Sequence, residues 1–240
     1  MTAPLLELRE IDAGYGPFRA LFGVSLAIPP GRVVALLGAN GSGKTTIARV
    51  CSGLVSPTRG SILFDGQEVT GARPYRFTRF GIVHAPEGRS VFASLSVAEN
   101  LELTFRRSRG RAGVRPALER AYELFPRLGE RRRQLAGTLS GGEQRMLALA
   151  RVLVEEPRLL IADELSLGLA PIIVDEVYGM LGAVREQGTA LLLVEQHVHH
   201  ALALADDAVV LVKGAVAYSG PAVELGDVHT HVLGGRADDN

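Results

Sequence analysis

The chain has 240 residues, 47% of them hydrophobic and only 5% aromatic, and its 26 basic side chains are balanced by 26 acidic ones. Zero net charge excludes bulk electrostatic attraction to nucleic acid or anionic lipid, and a lone cysteine, Cys51, excludes an internal disulfide and suits a reducing compartment. No apolar run approaches the roughly 20 residues a membrane-spanning helix needs, and the start Met1-Thr-Ala-Pro-Leu-Leu-Glu7 lacks the cationic head and apolar core of a signal peptide.

In chain order, residues 5–36 alternate apolar and polar positions, with turn signals at Gly14-Tyr-Gly16 and Pro29-Pro-Gly31, and predict short antiparallel strands. The run Val33–Leu37 reads as a strand. The next nine residues, Gly38, Ala39, Asn40, Gly41, Ser42, Gly43, Lys44, Thr45 and Thr46, fit G-x-x-x-x-G-K-[ST] and lead into helix-compatible sequence. Such a loop turns backbone N–H groups toward phosphate oxygens, so the segment predicts binding of a nucleoside triphosphate. Lys44 would reach the β- and γ-phosphates, Thr45 would ligate Mg²⁺, and the helix N-terminus adds favourable dipole. Of the 26 basic residues only Lys44 and Lys213 are lysines, so a lysine at this position points to a compact ammonium rather than a planar fork. Cys51, in the helix that follows, reads as packed rather than reactive. Ser61–Phe64 followed by Asp65-Gly66 reads as a strand and hairpin turn.

From about residue 88 to 155 the sequence turns helical and arginine-rich. Arg106, Arg107, Arg109, Arg111 and Arg115, set around Ser108 and Gly110, predict a solvated helix end and loop, and Arg131-Arg-Arg133 a second solvated cluster. In Leu139-Ser-Gly-Gly-Glu-Gln144, Ser140 reads as an N-cap with Glu143 at N3, and equally as part of an anion site where Gly141 and Gly142 expose N–H groups. The two readings are compatible. From residue 156 apolar strands alternate with helices, as in a parallel sheet covered on both faces. Arg158–Glu164 is an apolar run ending in two carboxylates: Asp163 would hold Mg²⁺ through Thr45 or water, and Glu164 would orient or deprotonate the attacking water. Leu191–Gln196 is a further strand, delivering Gln196 and then His197. His199 and His200 are expected at the surface.

With the phosphate loop, the Ser140 segment and the Asp163-Glu164 strand in place, essentially the whole chain resembles the ATP-binding-cassette (ABC) ATPases. The resemblance implies an α/β P-loop NTPase fold with a mostly parallel core sheet, an N-terminal antiparallel β layer and an inserted α-helical subdomain. Residues 1–87 and 156–240 would form the nucleotide-binding core, and 88–155 the helical subdomain. It implies that Ser140, Gly141, Gly142, Glu143 and Gln144 are the signature that contacts ATP bound to a partner subunit. It also places Tyr15 against the adenine ring, with a turn tyrosine packed on the sheet as the alternative.

Three positions depart from the common pattern: Glu87 replaces a glutamine beside the Mg²⁺ site, Ala170 an interface aspartate, and Gln196 a histidine that senses the γ-phosphate. In these it resembles ATPase subunits of branched-chain amino-acid importers, of the LivF type. Glu87 can still accept a Mg²⁺ or water contact, and Gln196 is read as facing the γ-phosphate with His197 turned away. The implied protein binds and hydrolyses ATP with Mg²⁺ and energises uptake of branched-chain or related amino acids. It would sit in the cytoplasm on the inner face of the cell membrane, with a second ATPase subunit, permease subunits and, indirectly, an extracytoplasmic substrate-binding protein, and without nucleic acid. A non-transport or weakly hydrolysing regulatory ABC ATPase is the alternative.

Overall fold

A computed structural model of the chain describes residues 3–85, 91–196 and 198–225. They divide into two compact units, one drawn from the stretches up to His84, Arg158–Glu164 and Leu181 onward, the other from Ala85–Pro157 and Leu165–Met180.

The first unit contains two sheets. In the antiparallel one, β1 (Leu6–Tyr15) lies between β2 (Phe18–Ile28) and β4 (Arg59–Phe64), with β5 (Gln67–Glu68) beyond β4. The strands β1 and β2 are 10 and 11 residues long, longer than the alternation predicts. Register shifts after Leu8, Ile11 and Ala13 explain the difference, because each bulge resets the two-residue period and makes one strand look like several. The expected turn at Asp65-Gly66 is present, with φ of 52° and 75°, the paired positive values of a tight hairpin.

The second sheet has the order β10-β9-β3-β8-β7-β6, formed by β3 (Val33–Gly38), β6 (Ile82–Ala85), β7 (Leu159–Asp163), β8 (Ala190–Glu195), β9 (Asp207–Val212) and β10 (Ala215–Pro221). Strands β9, β3, β8 and β7 run parallel, and β10 is antiparallel to β9. Every residue of β3, β7 and β8 is buried, as expected where both faces of a parallel sheet are covered. On one face Val34, Leu36, Ile161 and Leu192 meet Ile47 and Val50 of α1 (Lys44–Cys51) and Leu6, Leu8 and Ile11 of β1 in a single core. The alternate residues Ala35 and Leu37 join Ala208 and Val210 beneath Ala201 of α7 (Val198–Leu204). The fold is the α/β class expected, with a mostly parallel sheet and an antiparallel layer.

The second unit is helical, built from α3 (Val97–Leu124), α4 (Pro126–Glu130), α5 (Gly141–Leu153) and the start of α6 (Pro171–Glu186); α2 (Pro74–Arg79) belongs to the first unit. Ser96 caps α3 with Glu99 in a reciprocal capping box. The helix breaks at Gly110, whose φ of 67° and ψ of −179° no helix accommodates, within the arginine-rich stretch expected to be a helix end. The buried Asn100 amide donates to the carbonyls of Phe92, Leu95 and Ser96 and so ties the entry loop to α3. Leu165–Met180 groups with this unit. Ile173 packs so closely on Gly142 that a Cβ there would lie 2.9 Å from its Cγ2, and Arg127 stands 3.8 Å from Glu176. Among the described residues no helix is long and apolar enough to cross a membrane.

Candidate active site

The carboxyl ends of β3, β8 and β7 are neighbours, the edge at which open α/β sheets hold ligands. From the end of β3 the loop Gly38–Gly43 turns into α1, with positive φ at Gly38, Gly41 and Gly43 of 156°, 76° and 107°. Space as well as backbone demands glycine at two of them. A Cβ at Gly38 would lie 2.5 Å from Ser42 Oγ, and one at Gly43 2.8 Å from Leu21 Cδ2. Nothing lies within 4 Å of a Cβ at Gly41. The turn after β9 braces the loop: the Gly214 N–H donates to the Ser42 carbonyl at 2.9 Å. Gly43 is the N-cap of α1, so the first turn carries no side-chain cap.

Lys44 is buried, 4% exposed. Its ammonium donates to the carbonyls of Gly38 (2.8 Å) and Ala39 (3.3 Å) and lies 3.8 Å from Glu164 Oε1. Burial pulls its pKa below the ordinary ammonium value, opposed by the carboxylates of Glu164, Asp163 and Glu195. Asp163 closes β7, and Glu164 follows with φ of 49°, its N–H donating to the Val194 carbonyl at 2.8 Å. Gln196, one residue past the end of β8, donates its amide to Glu164 Oε1 at 2.9 Å. The structure therefore brings Lys44, Glu164 and Gln196 into one polar group beside Asp163. His197 and Glu87 lie outside the described residues.

Tyr15 ends β1 and is 42% exposed. Its hydroxyl accepts a hydrogen bond from Arg49 at 3.1 Å, and the Arg49 guanidinium carbon lies 5.8 Å from the ring centroid. In the helical unit, Ser140 is the N-cap of α5 in a capping box. Its backbone N–H and hydroxyl both meet Glu143 Oε2 at 2.9 Å, and its Oγ accepts from the Glu143 N–H. Burial raises the Glu143 pKa, but the two Ser140 donors and the guanidiniums of Arg131 and Arg127 outweigh it and leave it lowered. Gln144 turns inward to donate to the carbonyls of Ala136 and Leu139. Gly141 and Gly142 open the helix, and Ala170 is exposed just before α6.

Two participants escaped the sequence reading. Arg49 is one arginine among many, and nothing in its spacing links it to Tyr15. His84 ends up buried between Ser52 and Asp163, its Nδ1 3.3 Å from Ser52 Oγ and its Nε2 3.6 Å from Asp163 Oδ2. The only hint is one imidazole in an otherwise apolar strand of four residues.

The donor set suits a divalent cation that brings its own phosphate ligands. Among the described residues no cluster of three or more His, Cys, Asp or Glu is placed to hold a metal alone. Asp163 Oδ1, however, is a buried oxygen with no hydrogen-bond partner among the described residues, and Ser42 Oγ is another. One carboxylate oxygen and the Thr45 hydroxyl, with phosphate oxygens and water, match how Mg²⁺ is held with substrate phosphates.

The family model described as "ABC transporter" matches residues 21–166. The high-affinity branched-chain amino acid transport ATP-binding protein BraG of Pseudomonas aeruginosa is 42% identical over 213 residues, spanning 88% of this chain and 91% of that protein. The probable branched-chain amino acid transport ATP-binding protein LivF of Archaeoglobus fulgidus is 36% identical over 222 residues, spanning 92% and 94%. The fold is that of a nucleotide-free ATP-binding cassette from an ABC transporter, which matches with a TM-score of 0.84 at 23% identity over 96% of this chain and 97% of that one. A glycine loop whose lysine, acidic strand end and glutamine meet at one sheet edge, together with a family match over more than half its length, makes this chain a member of the ABC transporter family.

Proposed function

We propose that the chain is the ATP-hydrolysing subunit of an ABC importer for branched-chain or related amino acids, peripheral on the inner face of the cell membrane. The observation that carries the hydrolytic role is the convergence of Lys44, Glu164 and Gln196 beside Asp163 at the ends of β3, β8 and β7. The cargo class is supported by the names of the relatives at 42% and 36% identity and by the pattern of Glu87, Ala170 and Gln196.

In this reading the loop N–H groups and Lys44 grip the triphosphate, the ammonium exchanging two neutral carbonyls for charged phosphate oxygens, a stronger partner. Thr45 and Asp163, with Glu87, would hold Mg²⁺, which would neutralise charge on the transferred phosphoryl group. Glu164 accepts the proton of the attacking water, and the Gln196 amide keeps its carboxylate in place. Tyr15 offers a ring face to adenine. The end of α5 at Ser140, Gly141, Gly142, Glu143 and Gln144 completes the site of a second ATPase subunit, while permease subunits provide the path and an extracytoplasmic binding protein the cargo. The helical segment 88–155 would act as the signature subdomain.

Calorimetric titration of the purified chain with ATP in Mg²⁺, for wild type and Lys44→Ala, tests the core of this. Binding weakened by about tenfold or more in the variant is expected; wild type without affinity, or a variant that binds normally, overturns it. Leucine uptake into vesicles holding this chain with its companion ATPase and permeases tests the cargo.

A further inference from the structure

We propose that His84 is a positioning residue that holds the Asp163 carboxylate so that Oδ1 is left facing the divalent cation of bound nucleotide; this rests on the nucleotide-hydrolysing reading above. Strand β6 is the sheet neighbour of β7, which sets His84 beside Asp163 near the ends of the two strands. Both side chains are buried, 8% and 2% exposed. The imidazole Nε2 lies 3.6 Å from Asp163 Oδ2, and Oδ1 has no hydrogen-bond partner among the described residues. The imidazole Nε2, itself without a hydrogen-bond partner among the described residues, thus faces one carboxylate oxygen, and the other has no partner there. A buried, unpartnered oxygen carries a desolvation cost that a bound cation would remove.

The far side of the ring is anchored. His84 Nδ1 is within hydrogen-bonding distance, 3.3 Å, of Ser52 Oγ, and Ser52 is the buried C-cap residue of α1. The Ser52 hydroxyl also lies 2.9 Å from the Ala48 carbonyl, which accepts the Ser52 backbone N–H at 3.1 Å as well. The hydroxyl also lies 3.2 Å from the Arg49 carbonyl; turned instead to Nδ1 it leaves the Ala48 carbonyl with a partner and puts the ring proton on Nε2 toward Asp163, the tautomer the proposal requires. A closure of roughly half an ångström would make the Nε2 contact a hydrogen bond. The chain Ser52–His84–Asp163 runs from the end of the phosphate-loop helix to the end of β7 and couples the two elements that meet a nucleotide. Outer partners of this kind orient metal ligands, and their loss typically costs about 10- to 100-fold in metal affinity.

The test is the metal dependence of ATP affinity, measured by calorimetry on the full chain in excess Mg²⁺ and in EDTA. His84→Leu is expected to lower the Mg²⁺-dependent gain in affinity about tenfold while affinity in EDTA stays within about twofold. His84→Gln, whose amide nitrogen reaches the place of Nε2, is expected to restore most of the gain, and His84→Asn is not. A His84→Leu variant with the wild-type gain overturns the proposal, as does one that loses affinity equally with and without metal. If His84→Leu does not fold, the Gln and Asn variants decide: both alike, in either direction, overturns it. Wild type without affinity for ATP in Mg²⁺ would instead refute the nucleotide-hydrolysing reading itself.

Discussion

At Lys44 burial and charge pull in opposite directions. Desolvation disfavours the ammonium, three nearby carboxylates favour it, and two loop carbonyls occupy its protons. Removing the side chain deletes a charged hydrogen-bond donor to phosphate, worth about 1.5–3 kcal/mol, so Lys44→Ala should weaken ATP binding by roughly tenfold to 150-fold. The Gln196 amide touches Glu164 rather than another backbone group. Gln196→Ala should therefore lower kcat by about tenfold and leave ATP affinity within about threefold, the pattern of an interaction that matters in the transition state. Steady-state ATPase and equilibrium binding measured side by side check this; an unchanged kcat would remove Gln196 from the chemistry. Cys51 is fully buried in α1, and burial pushes its thiol pKa up to about 12. A thiol-disulfide reagent at pH 8 should leave it unmodified in the folded chain and react once the chain is unfolded in denaturant.

Elements rest on signals that lie within a few consecutive residues. The capping box at Ser96 and Glu99 starts α3, and that at Ser140 and Glu143 starts α5. Ser96 is not among the residues assigned to the proposed chemistry, so Ser96→Ala should cost about 1 kcal/mol of stability with no change in ATP affinity. Urea unfolding followed with an ATP titration measures both. The α5 box was legible because serine and glutamate at that spacing, next to two glycines, admit few other structures. The strands β1 and β2 were legible in type but not in length, because three bulges interrupt the alternation. The break in α3 falls at Gly110, with φ of 67°, where a serine and a run of arginines signal a solvated helix end.

For the molecule as a whole, several carboxylates are held below their ordinary range. Asp12 accepts from the Gly23 N–H and pairs with Arg19; Glu99 accepts from the Ser96 N–H and hydroxyl; Glu143 is lowered by its Ser140 and arginine partners despite burial. Folded values below the unfolded 3.8 and 4.5 mean that the unfolded chain binds more protons at acid pH. The stability these groups contribute is complete above about pH 5 and is lost as pH falls through their folded values. Tm should be level from about pH 7 to 5 and fall below about pH 4.5; a Tm that holds to pH 3 would contradict it. At the level of assembly, a site completed by another subunit's Ser140 end predicts slow ATP hydrolysis by the isolated chain and a rise when the companion ATPase is added. A strict monomer with undiminished activity would exclude that arrangement.

The residues themselves determined the phosphate loop, the acidic end of β7 and the capped start of α5, because each depends on spacing along a few consecutive positions: glycines where φ is positive, an apolar run before carboxylates, a serine three residues before a glutamate. Only the tertiary structure decided that Gln196 meets Glu164, that Arg49 holds Tyr15, that His84 stands between Ser52 and Asp163, and that Leu165–Met180 packs with the helices. Those meetings follow from the strand order β3-β8-β7-β6, which sets side by side residues as distant in sequence as Val33 and Leu191, and from packing between elements. Local spacing carries no record of which strand will lie beside which.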